Sequence, residues 1–144
     1  MAWDRPGISV DLTSERRSAL SYYSGRLYEP RFKERLLSAI DLGCHCLIIS
    51  GGYGVLRAEE YIHDYEAHLP RTATVWRSRI PLILGDYVKL QGIRRSLGAF
   101  SSGYGRVVPK GLTEDDVHVV PQVVGTGAVL NELREAWDSL LSGL

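Results

Sequence analysis

Sulfur is scarce in this chain: 144 residues hold two cysteines and one methionine. Cys44 and Cys46 stand two apart, which is neither a Cys-x-x-Cys redox motif nor a zinc half-site with a visible partner pair. A disulfide framework is excluded, and buried free thiols in a reducing compartment are expected. Net charge is missing as well, because seventeen Lys and Arg balance seventeen Asp and Glu. No global positive field draws in a polyanion, so long, sequence-blind wrapping of nucleic acid is disfavoured. No apolar run approaches the ~18 residues of a membrane span. The opening Met1-Ala2-Trp3-Asp4-Arg5-Pro6-Gly7 lacks the basic-then-apolar order of a secretory signal, so a cytoplasmic protein with no membrane partner is expected.

What is present reads as one globular domain over residues 1–144, with 44% hydrophobic and 24% charged residues, ordinary values for a chain that buries a core. Basic residues crowd the first quarter (Arg5, Arg16, Arg17, Arg26, Arg31, Lys33, Arg35) and Glu114-Asp115-Asp116 is acidic. Such clusters form a local patch or a solvated face.

Phe32, Leu36, Leu37 and Ile40 share a helical stripe over 30–42, with Pro30 in the first turn and Gly43 beyond the end. The following run from Cys44 to Ser50 reads as a strand buried on both faces, which predicts a parallel or mixed sheet. Residues 57–68 read as helix or turn, 81–97 as the main helix, 98–102 and 117–124 as strands. Thr126 to Leu141 reads as an amphipathic closing helix. Upstream, Ile8 to Leu12 alternates like a strand and Glu15 to Tyr23 suits a helix. The fold class expected is α/β: a compact single-domain sandwich with a small mixed or parallel sheet flanked by helices.

Two similar loops, Ser50-Gly51-Gly52-Tyr53-Gly54 and Ser101-Ser102-Gly103-Tyr104-Gly105, each follow a predicted strand, and Gly125-Thr126-Gly127 opens the last helix. Beyond the carboxyl ends of parallel strands, glycine lets backbone amides approach an anion. Glycine after a strand is also plain turn chemistry, but exposed tyrosines in such turns offer a stacking face and a phenol. Residues 51–57 lack the lysine of a phosphate-binding P-loop. Ser50 is not in a Gly-x-Ser-x-Gly elbow, so a serine hydrolase is disfavoured. The histidines are scattered, with His63 and His68 five apart, off the spacing of a helical metal pair. Neither a metal nor a cofactor is expected.

The run Ser50-Gly51-Gly52-Tyr53-Gly54-Val55-Leu56-Arg57, with Ile62-x-x-Tyr65 after it, resembles the signature of the YaaA (peroxide stress protein) superfamily and its shorter relatives. Tyr23-Ser24-Gly25-Arg26-Leu27-Tyr28, Gly85-Asp86 and Ser101 to Val108 are similar to three further stretches of that family, in the same order. The Cys-x-x-Lys opening common in the short relatives is absent. Longer members are described as DNA-binding, with a helix-hairpin-helix element and a positive cleft, and as protecting against peroxide-driven damage. The resemblance implies a shared pocket.

On this reading the catalytic candidates are Asp86, Tyr53 and Ser50, with Asp86 as a general base or as stabiliser of an oxocarbenium-like sugar. The ligand-binding candidates are Ser24, Tyr28, Gly51, Gly52, Gly54, Arg57, Tyr65, Ser101, Ser102 and Tyr104. Arg57 suits a two-pronged grip on phosphate, or a surface salt bridge. The expected function is recognition of a nucleobase or nucleotide, extending to cleavage or exchange of an N-glycosidic bond. A base within nucleic acid would have to be flipped or single-stranded. The alternative is a non-catalytic DNA- or nucleic-acid-binding protein in oxidative stress or DNA protection, and a third reading is an interaction module using the last helix.

Overall fold

The computed structural model describes residues 8–23, 30–67, 74–99 and 107–119, together with Glu135 and Asp138. The chain is mixed α/β and divides into two compact units, Met1–Ala73 and Thr74–Leu144. No helix among the described residues is long and apolar enough to cross a membrane.

In the first unit, alternation makes β1 (Ile8–Val10), where Ile8 is buried and Ser9 exposed. A two-residue strand, β2 (Arg17–Ser18), runs into a single helical turn, α1 (Ala19–Tyr22), capped by the Ser18 hydroxyl accepting from the Ser21 amide. The helix predicted over 15–23 is therefore cut to its last turn, because residues 17–18 pair with a distant strand. The helix α2 (Pro30–Asp41) matches its prediction and buries Leu36 and Ala39, whereas Leu37 is exposed. Gly43 ends it at φ 90°. Its amide donates to the Ile40 carbonyl and that of Cys44 to the Ala39 carbonyl, the paired bonds of a Schellman stop.

Next, β3 (Leu47–Ser50) pairs antiparallel with β4 (Gly54–Arg57) in register Ile48↔Leu56 and Ser50↔Gly54. Ile48, Leu56 and Ser50 are buried, while Leu47 and Ile49 are half-buried. This corrects the expectation of a parallel strand covered on both faces: the glycine loop simply turns the chain back. Cys44 and Cys46 precede the strand, both free and half-buried. Burial pushes the Cys46 thiol up to about 11, with Glu59 and Cys44 adding in the same direction.

Residues 57–67 hold a turn at 58–59 and no helix. They carry β5 (Tyr61–Ile62), antiparallel to β2, and β6 (Tyr65–Ala67), antiparallel to β1. Pairing partners over forty residues away override the local pattern, as strand formation depends on context more than helix formation does. Residues 11–16 loop out between β1 and β2, tied down where the Asp64 amide donates to Ser14 Oγ at 2.8 Å and the Asp64 carbonyl accepts from the Asp11 amide at 2.8 Å. Ile62, 2% exposed, and Ala58, fully buried, sit at the centre of this unit's core.

In the second unit, a helical turn at 74–76 buries Trp76, and α3 (Arg79–Gln91) buries Ile80 and Leu84. Pro81 lies in the first turn, where a missing N–H costs nothing. The helix stops short of the predicted Leu97 because Gly92 takes a left-handed φ of 63° and Ile93 caps the Val88 carbonyl. The strand β7 (Arg95–Ala99) then pairs in parallel with β8 (Asp115–Val119), in register Arg95↔Asp115 to Ala99↔Val119. Among the described residues all four pairings are two-stranded. Glu135 and Asp138 are helical; the rest of the predicted closing helix lies outside the described residues.

Candidate functional site

The loop Gly51-Gly52-Tyr53 closes the β3–β4 hairpin, with Gly54 at φ 84° supplying the left-handed step. Ser50 precedes it and is 1% exposed. Its hydroxyl accepts from the Gly52 amide at 3.2 Å and the Tyr53 amide at 3.1 Å, and donates to the Tyr65 hydroxyl at 3.0 Å. The amides expected to cradle an anion therefore hold the serine of their own loop. Tyr65 OH in turn lies 2.6 Å from Tyr23 OH, which makes a chain of three hydroxyls from the buried turn outward.

Four half-buried tyrosines assemble around this chain. The Tyr65 ring stacks on Tyr22 at 5.5 Å and 21° and meets Tyr53 edge-on at 5.3 Å and 82°, while Tyr22 meets Tyr23 edge-on at 5.3 Å. Such pairs each add roughly 0.5–1.5 kcal/mol beyond area burial. A Cβ on Gly52 would lie 2.6 Å from Tyr65 Cε2 and closer still to Cδ2, so only glycine lets the turn pass beneath the ring. The Arg17 guanidinium sits 5.1 Å over the Tyr22 ring and pairs with Asp64 at 2.9 Å, a cation–π arrangement at the rim.

Tyr53 is anchored at its far end. Its hydroxyl donates to the His63 carbonyl at 3.4 Å and accepts from the His63 amide at 3.2 Å. Burial raises its phenol above the ordinary value of 10.0, against the lowering effect of the bond to His63. Tyr22 treats Tyr65 alike, its hydroxyl accepting from the amide at 3.4 Å and donating to the carbonyl at 3.5 Å. The His63 ring points elsewhere: Nδ1 is 3.0 Å from the Ser14 carbonyl, so that nitrogen carries the hydrogen. Nearby, Asp11 is held below its ordinary value, first by the Thr13 hydroxyl and then by the Thr13 amide.

The structure thus brings together Ser50, Gly51, Gly52, Tyr53, Gly54 and Tyr65 of the predicted set. Arg57, at the end of β4, reaches Glu60 at 3.1 Å and is half exposed, the surface salt bridge that the sequence offered as its plain reading. Asp86 is exposed on α3 of the second unit. Ser24, Tyr28, Ser101, Ser102 and Tyr104 lie outside the described residues. Sequence reasoning did not place Tyr22 or Arg17 in the site, nor Tyr23 except inside a motif; their contacts with Tyr65 and Asp64 span 42 to 47 residues, a separation no local pattern reveals. Among the described residues no group of three or more His, Cys, Asp or Glu could hold a metal ion.

Comparison with family models, with curated proteins and with solved structures gives no match for this chain.

Proposed function

We propose that the first unit recognises a nucleobase or nucleotide at its tyrosine cluster, taken as the pocket that the YaaA resemblance implies. The observation that carries this reading is the assembly of Tyr22, Tyr23, Tyr53 and Tyr65 around one glycine turn, with the Arg17 guanidinium at its rim. Half-buried phenol rings suit stacking on a planar base, and an arginine beside them suits a phosphate. In this reading Ser50 positions Tyr65 and the turn amides, Tyr53 and Tyr65 present ring surface, and Arg57 is a second cation close in sequence. Cleavage or exchange of an N-glycosidic bond with Asp86 as its acid, on α3 of the second unit, is a separate part of the proposal. The finer fold in this proposal is a compact sandwich with a small mixed sheet flanked by helices, in a cytoplasmic protein.

Thermal shifts with nucleosides, nucleotides and short single-stranded oligonucleotides test this at low and high salt, since a ligand that binds the native state raises its stability. A salt-insensitive shift with a mononucleotide, lost in Tyr65→Ala, is the expected result. No shift with any member of the panel overturns it. Base release that persists undiminished in Asp86→Asn removes Asp86 from the chemistry. A shift confined to oligonucleotides and lost in salt favours the alternative, a non-catalytic nucleic-acid-binding protein in stress protection, which the exposed Arg16, Arg17, Arg31 and Arg35 support.

A further inference from the structure

The nucleotide reading makes no use of Cys44 and Cys46, the two free thiols that lead into β3. Their backbone is tied at both positions: the Cys44 amide donates to the Ala39 carbonyl in the last turn of α2, and the Cys46 carbonyl accepts from the Ala58 amide, each at 2.9 Å. The second bond carries the hairpin ladder one pair beyond Leu47↔Arg57. Extended backbone sends successive side chains to opposite faces, and exposure follows that alternation, with Cys44 and Cys46 half-buried and His45 between them exposed. Cys46 therefore shares the face of the buried Ile48 and Ser50, and Cys44 stands on the same face one step nearer its end.

We infer that Cys44 and Cys46 form a two-thiol site for a soft, thiophilic metal or metalloid that is satisfied by two sulfur ligands. Spacing selects what can join the two sulfurs. Two extended residues advance about 6.6 Å, the upper end of what a disulfide tolerates between Cα atoms. A bridging ion relaxes that limit, because two metal–sulfur bonds of about 2.3 Å let the sulfurs stand up to about 4.6 Å apart. Charge points the same way. Burial holds the proton on the Cys46 thiol, with Glu59 and Cys44 adding to the effect, so a bare thiolate is costly there, whereas two thiolates on a divalent ion make a neutral unit. Thiolate ligands favour soft ions, and each thiol gives up its proton as its sulfur binds. Among the described residues no third His, Cys, Asp or Glu joins the pair, as the four ligands of a structural zinc would require. The inference is independent of what ligand the tyrosine cluster takes.

Phenylarsine oxide is the probe: two arsenic–sulfur bonds form, the bond from arsenic to oxygen breaks, and the oxygen leaves as water with the two thiol protons. On the whole folded chain, native mass spectrometry is expected to show one adduct per chain that survives excess mercaptoethanol and is removed by the dithiol dimercaptopropanol. The adduct raises the melting temperature, since it forms on the native state. Cys44→Ser and Cys46→Ser each weaken retention against mercaptoethanol by at least about tenfold, because a single sulfur loses the advantage of a second, tethered one. No adduct on the folded chain, an adduct that forms only in denaturant, or one that either serine variant retains in full overturns the site. Should the serine variants fail to fold, the parent protein still decides, for an adduct that mercaptoethanol alone removes also overturns it.

Discussion

Each unit has a polar hub, and the two are built from different chemistry. In the first, the hub is the neutral Ser50 hydroxyl, 1% exposed, fed by two amides and leading to two phenols. In the second, it is the Asp116 carboxylate, which accepts from Ser96 Oγ at 2.7 Å and from the Gly111 amide at 2.7 Å, with Thr113 Oγ1 2.7 Å from the same serine hydroxyl. A carboxylate gathers donors through charge and tolerates partial exposure, since charge-assisted bonds are roughly twice as strong as neutral ones. A buried serine has no such reserve and depends on the packing of the rings around it. The first hub should therefore respond to shape and the second to charge.

The sharpest way to break this comparison is Gly52→Ala. The added methyl must displace the Tyr65 ring and with it the hydroxyl chain, so a loss of about 3 kcal/mol in denaturant unfolding is expected; a loss under about 1 kcal/mol would mean that Tyr65 is not held in place. Next comes an alkaline limb in the first unit. Cys46 titrates in the unfolded chain near 9.0 and in the folded one at about 11, so the native state holds its proton longer. Stability is full below pH 9 and falls as pH rises towards 11, by about 2 kcal/mol. Cys46→Ala removes the part of the fall that begins at pH 9 in a pH series of melts and leaves the part above pH 10 that the raised Tyr53 phenol contributes.

Removing the hubs themselves separates charge from shape. Asp116→Ala takes the charged acceptor from the Ser96 hydroxyl, which keeps Thr113 Oγ1 within reach, and from the exposed Gly111 amide, and costs about 2 kcal/mol, in part recovered by Asn, which keeps an acceptor. Ser50→Ala strands the Gly52 and Tyr53 amides and costs about 1.5 kcal/mol; no more than a few tenths from either change, read by urea midpoints, would remove that hub from the stability of its unit. The smallest expected effect has the opposite sign. Gly85 lies within α3 with nothing within 4 Å of the place an added methyl would take, so Gly85→Ala should raise stability by about 0.5–1 kcal/mol through helix propensity. Of these two glycines only Gly52 is required by a neighbouring ring.

The sequence made some of this legible and left the rest to distant contacts. Helix α2 was readable because its stripe, its proline and its terminal glycine all lie within fourteen residues. Gly92 carried the same stop signal for α3, and the apolar residues beyond it masked that signal. Residues 57–68 read as helix or turn because nothing local shows that Ile62 pairs with Arg17 or Ala67 with Ile8. For the site, Ser50, Gly52, Tyr53 and Tyr65 were recognisable as a group from one motif. Tyr22, Tyr23 and Arg17 were not, since a four-residue helix held by the Ser18 cap delivers the two tyrosines and a two-residue strand delivers the arginine.

By itself, then, the sequence determined the elements whose determinants are local: the α2 stop at Gly43, the hairpin's need for glycine, and a chain of balanced charge with its thiols unpaired. Tertiary structure decided that the glycine turn folds back antiparallel, that its amides bind Ser50 in place of an outside anion, and that four tyrosines from three segments meet there. The physical reason is range. Capping and turn conformation depend on a few neighbouring dihedrals, whereas strand pairing and ring packing are settled only when residues far apart in the chain compete for the same partners.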